Sequence, residues 1–88
     1  MANIRNIKKD INHVLGEIIE MALVWEKSNP RADKTLSAAI IDDAIIAFDE
    51  FRKRIYQKDV ADKKVHFRSI QDELAKKGTA LIVRVNAL

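Results

Sequence analysis

The chain has 88 residues, 48% of them apolar and 33% charged, a net charge of +3, two Gly, one Pro and no Cys. That length gives room for one domain (1–88) with a modest core and little depth for an enclosed substrate pocket. Without cysteine there is no disulfide framework, Cys-ligated zinc or thiol chemistry, and without an apolar run of about 18 residues or a secretory leader the expectation is a soluble, cytoplasmic protein with no membrane partner.

Twelve Ile and eleven Ala stand beside only five aromatic residues. Ile favours strands, but a small all-β domain needs many turn residues, and Gly and Pro are too scarce here. Periodicity decides the matter. From Ile4 the apolar residues recur at Ile7, Ile11, Val14, Ile18, Met21 and Trp25, alternating steps of three and four that predict a heptad seam on a helix over about 4–27. Asn3 can cap its start. Ser28-Asn29-Pro30 should end it, because Pro restricts the residue before it.

Asp33 can cap a second helix over about 34–57, with a seam of Ser37, Ile41, Ala44, Phe48, Phe51 and Ile55, flanked by Leu36, Ile40, Ala47 and Tyr56. Lys53, Arg54 and Lys58 suit its negative C-terminal end. Asp59 or Asp62 can cap a third helix over about 62–87, whose face reads Phe67, Ile70, Leu74, Gly78, Leu81, Val85 and Leu88. The extra step of four there is a stutter that relaxes left-handed supercoiling. Gly78 either lets a neighbouring helix come close or marks a break, since a helix-interior glycine costs about 1 kcal/mol relative to Ala. Three helices of similar length with short connections predict an all-α, up-down-up antiparallel bundle.

The second half of helix 1 and the first half of helix 2 are apolar nearly all round, which exceeds the stripe of about 100° that a bundle helix buries. Small bundles tolerate scattered exposed apolar residues, but a concentration at one end favours an interface. The sequence therefore points to a homo-oligomer, with a dimer favoured, or to a protein partner. Ile19, Leu23, Trp25, Ala39 and Ile46 are the interface candidates.

The opposite pole collects Arg5, Lys8, Lys9, Arg52, Lys53, Arg54, Lys58, Lys63, Lys64 and Arg68 against five acids. It carries +5, while the remainder, six basic against eight acidic, carries −2. Solvated surface charge accounts for such a pole. The alternative is an anion or nucleic-acid site using Arg52, Arg54, Lys58, Lys63, Lys64 and Arg68, with Tyr56, His66 and Phe67 for stacking. No helix-turn-helix pattern favours nucleic acid.

Chemistry has few carriers. Asp10, His13 and Glu17 share a face of helix 1, and Asp62 and His66 sit four apart on helix 3, an imperfect echo of a di-iron bundle that more simply reads as surface pairing. The adjacent carboxylates (Asp42-Asp43, Asp49-Glu50, Asp72-Glu73) point about 100° apart on a helix. Ser28, Ser37 and Ser69 lack a nucleophile elbow, and the two glycines form no phosphate loop. The expectation is a protein without catalytic residues, cofactor or metal, not an enzyme.

Asn6-Ile7-Lys8-Lys9-Asp10-Ile11, Asn29-Pro30, the run from Lys63 through Val65, His66 and Arg68 to Ile70, and the later Leu74, Leu81 and Leu88 carry a resemblance. On them the chain resembles an uncharacterised family of small all-helical bacterial proteins of unknown function. The resemblance implies an all-helical fold and assigns no activity or site residue.

Overall fold

In a computed structural model, which describes residues 4–88, the chain is an all-α three-helix bundle: α1 (Ile4–Ser28), α2 (Thr35–Ile55) and α3 (Lys63–Asn86). Each helix packs against both others in a rod of 50 × 20 × 18 Å. The start of α1, the end of α2 and the start of α3 share one pole. Asn3, the expected first cap, lies outside the described residues.

The connections follow local chemistry. Asn29 closes α1 by donating both its backbone N–H and its Nδ2 to the Trp25 carbonyl, at 3.0 and 2.9 Å. The Ala32 N–H then reaches the Asn29 carbonyl at 3.0 Å, a β-turn with Pro30 in its second position, where a fixed φ is favoured. At the start of α2 the cap position is Lys34, which makes no side-chain cap bond. Asp33, one residue earlier than a cap, accepts instead from the Thr35 N–H at 2.8 Å and the Thr35 hydroxyl at 2.6 Å. These two donors, the hydroxyl foremost, hold the Asp33 carboxyl below its ordinary pKa. Of the two candidates for α3, Asp62 is the cap, accepting from the Lys64 and Val65 N–H groups. Asp59 instead turns the loop at a left-handed φ of 63°, a region that Asp tolerates better than most side chains.

The core comprises Ile7, Ile11, Leu15 and Ile18 of α1, Ile40, Ala44, Ala47, Phe51 and Ile55 of α2, and Ile70, Leu74 and Leu81 of α3. On α3 the expected face is the buried one. On α1 and α2 the expected seams rotate. Leu15 and Ala22 are buried in place of Val14 and Met21, and Met21 is exposed. Ile40 and Ala47 are buried in place of Ile41 and Phe48, which are half-buried. The cause is the mismatch between a heptad and 3.6 residues per turn, which lets a straight helix drift about 20° per heptad. Each buried face carries two successive steps of four (Ile7–Ile11–Leu15, Ala47–Phe51–Ile55 and Ile70–Leu74–Gly78), a stutter that relaxes left-handed supercoiling and keeps the face inward along the helix.

Gly78 lies inside an unbroken α3, fully within the packed face. A Cβ there would sit 2.8 Å from Val14 Cγ1. Close approach of α1 and α3 is therefore the reason for the glycine, and the break reading falls away.

Candidate functional site

Two surfaces stand out, one at each end of the rod. At the basic pole a groove of about 1110 Å³ opens between the start of α1, the end of α2, the 56–62 loop and the start of α3. Its apolar lining is Ile4, Ile55, Tyr56, Val60, Val65 and Phe67. Arg5, Lys63, Lys64 and Arg68 bring four cations, His66, Gln57 and Gln71 complete the lining, and no carboxylate takes part. None of the four cations belongs to any of the three ion pairs found among the described residues.

Next to the groove, side-chain contacts tie α2 to α3. Arg54 pairs with Glu73 and also donates to the Ser69 hydroxyl at 3.4 Å. Its carbonyl accepts from His66 Nε2 at 2.6 Å, which fixes the proton on that nitrogen because a carbonyl only accepts. His66 and Phe67 lie with ring centroids 5.8 Å apart, and Lys8 Nζ stands 5.1 Å from the Tyr56 ring centroid. Of these residues, Tyr56, His66 and Phe67 line the groove itself.

The six residues expected to hold an anion are thus divided. Lys63, Lys64 and Arg68 line the groove. Arg54 is committed to Glu73 and Ser69. Arg52 borders a separate space of about 100 Å³ between α1 and α2, with Lys8, Ile11, Asn12, Phe48 and Ile55. Lys58 is exposed in the loop and does not line the groove. Arg5, Val60 and Val65 join the site without having been singled out as binding residues. The clue available in the sequence was the mixture of cations with apolar residues through Lys63–Arg68, where Lys64 and Arg68 sit one helical turn apart.

The other surface is apolar. Of the eleven large apolar residues that are exposed, six (Met21, Leu23, Val24, Leu36, Ile82 and Val83) lie on the halves of their helices away from the basic pole, and Ile45 and Ile46 stand at mid-length of α2. Helical spacing puts Lys8, Asn12, Gly16, Ile19, Leu23 and Glu26 on one side of α1. That side faces α2, since Lys8 and Asn12 border a space with Phe48 and Arg52, and Ser37 donates to Glu26 at 2.7 Å. The facing stripe of α2 is Ala38, Ile41, Ile45, Phe48 and Arg52. Ile19 and Leu23 therefore lie on the α2-facing side of α1, and Ile41 and Ile45 on the α1-facing side of α2, along one seam.

The remaining interface candidates lie elsewhere. Ala39 and Ile46 share the stripe of Asp43 and Arg54, which face α3 through the Arg84–Asp43 bond at 2.5 Å and the Arg54–Glu73 pair. Trp25 is half-buried above the core, with its carbonyl taken by Asn29. Gly16 had no assigned role, yet it sits beside Ile19 and Leu23 with nothing within 4 Å of where a Cβ would stand.

Neither reading of the surface rests on a grouped metal site, because no three His, Asp or Glu side chains among the described residues are placed to hold an ion. His13 and Glu17 approach to 3.5 Å on an exposed face. Among the described residues no helix is long and apolar enough to cross a membrane. Comparison with known protein families, with curated proteins and with solved structures found no match.

Proposed function

We propose that this chain is a non-enzymatic interaction protein that pairs with a second copy of itself through the seam between α1 and α2. One observation carries the reading: Gly16 lies inside a 25-residue helix, on an exposed apolar seam, with open space where its side chain would be. A helix-interior glycine costs about 1 kcal/mol relative to Ala, and nothing in its own chain approaches it to offset that cost. A second copy laid along the seam approaches closely at Gly16 and Ala38 and covers Leu23 and Ile45. Those two side chains are 45% and 49% exposed in the single chain. A two-fold pairing suits the seam, since one patch then meets its own copy and the contact closes at two chains. Four helices packed around shared apolar residues result.

The test is solution mass by light scattering at about 10 and about 200 µM, a range that brackets micromolar dimers. The expected result is a mass of two chains at the upper concentration, shifting to one chain in Leu23→Glu. A single-chain mass for the unaltered protein across the range overturns the reading.

A further inference from the structure

We infer that the groove at the basic pole binds a free amphiphilic anion, a molecule with an apolar chain and one carboxylate or phosphate head. The inference stands apart from self-association, because none of the seam residues Gly16, Ile19, Leu23, Ala38, Ile41 and Ile45 lines the groove.

Three observations converge on that ligand class. The groove is large and concave, about 1110 Å³, just above the range of roughly 300–1,000 Å³ for small-molecule sites. Its apolar residues reach from the buried Ile55, at 4% exposure, to Val65, at 62%. An apolar chain entering it removes from water a surface that the fold itself leaves wet. Its charge is of one sign: Arg5, Lys63, Lys64 and Arg68 line it with no carboxylate among the lining residues. The nearby Asp62 carboxylate is turned onto the first amides of α3 and is not among the residues that line the groove.

The arrangement also separates this ligand from others of the same charge. Inorganic phosphate satisfies the cations but leaves the apolar walls uncovered. A nucleic-acid backbone is met by cations spread along an accessible track, whereas these four gather around one apolar concavity. Arg5 and Arg68 present planar forks suited to a carboxylate or phosphate head, with Lys63 and Lys64 as point charges beside them.

The experiment titrates the full chain, labelled with ¹⁵N, with decanoate and with decyl phosphate below their micelle concentrations. Controls are decyltrimethylammonium, inorganic phosphate, anionic phospholipid vesicles and duplex DNA. Amide shifts are expected at Tyr56, Val60, Val65 and Phe67 with both anionic amphiphiles. Decyltrimethylammonium is expected to give none, and phosphate alone to bind at least about a hundredfold more weakly. Arg5→Gln/Lys64→Gln/Arg68→Gln, three exposed positions, should weaken the amphiphiles at least about tenfold at an unchanged melting temperature. Equal binding of the cationic amphiphile, binding to vesicles or DNA alone, shifts centred on Leu23 and Ile45, or no shift at about 1 mM amphiphile overturns the inference.

Discussion

Val14 Cγ1 occupies the space that a side chain on residue 78 would need, 2.8 Å from the position of its Cβ. The contact lets α1 and α3 lie together along their length, and it gives the two glycines of the chain opposite roles. Val14 is β-branched and stiff about χ1, so it yields poorly to an added methyl. Gly78→Ala is expected to lower stability by about 1 kcal/mol, because overpacking of about 1–3 kcal/mol outweighs the gain in helix propensity. Adding Val14→Ala should recover more of the clash than the two separate effects sum to, a coupling that a double-mutant cycle in urea reads directly. Gly16→Ala, made in the Leu23→Glu background, should instead raise stability by about 0.5–1 kcal/mol, since its site is open.

Ser37 is fully buried and joins the tops of α1 and α2, its hydroxyl 2.7 Å from Glu26 and 3.1 Å from the Lys34 carbonyl. One proton serves one acceptor at a time, and the carboxylate is the closer. Ser37→Ala removes the donor from a half-buried carboxylate, and an expected loss of about 1.5–3 kcal/mol follows from hydrogen bonds to charged groups. Glu26→Gln should restore part of it in the double variant. Thermal melting checks both, with about 4–8 °C per kcal/mol for a chain of this size.

The Asp33 carboxyl is held low by the Thr35 hydroxyl and N–H. The ionised form is thus favoured in the folded chain, and its contribution to stability is present at neutral pH. That contribution is lost as the pH falls through the lowered folded value. Asp33→Ala should be less stable than the parent at about pH 6, with the difference shrinking as the pH falls through the lowered folded value. Thr35→Val, which deletes the foremost cause, should move the Asp33 carboxyl back up in an NMR titration.

Two substitutions at similarly exposed positions separate the α1–α2 seam from the rest of the apolar surface. Leu23→Glu places a carboxylate in the seam, whereas Ile46→Lys places an ammonium on the α3-facing stripe, beyond it. The first should abolish the two-chain mass and the second should leave it within about threefold in dissociation constant, roughly 0.6 kcal/mol. Sedimentation velocity on the two variants distinguishes them, and the reverse order would put the interface on the other face.

The residues themselves determined the number of helices and their bounds to within about two residues, because the signals are local. Asn29-Pro30 can form a turn with its own neighbours, Asp62 caps the amides two and three residues on, and apolar residues at three and four repeat along each helix. The α3 face was also legible, since the two successive steps of four from Ile70 through Leu74 to Gly78 stand in the sequence itself. What only tertiary packing decided is which neighbouring stripe turns inward on α1 and α2. Val14 and Leu15, or Ile40 and Ile41, are equally apolar and only about 100° apart, so periodicity alone does not choose between them. The same holds for the cations. Arg54 and Arg68 read alike in the sequence, but Glu73 and Ser69 stand beside the first and the groove beside the second. Charge partners are set by which helices come together, and that depends on distances between segments far apart in the chain.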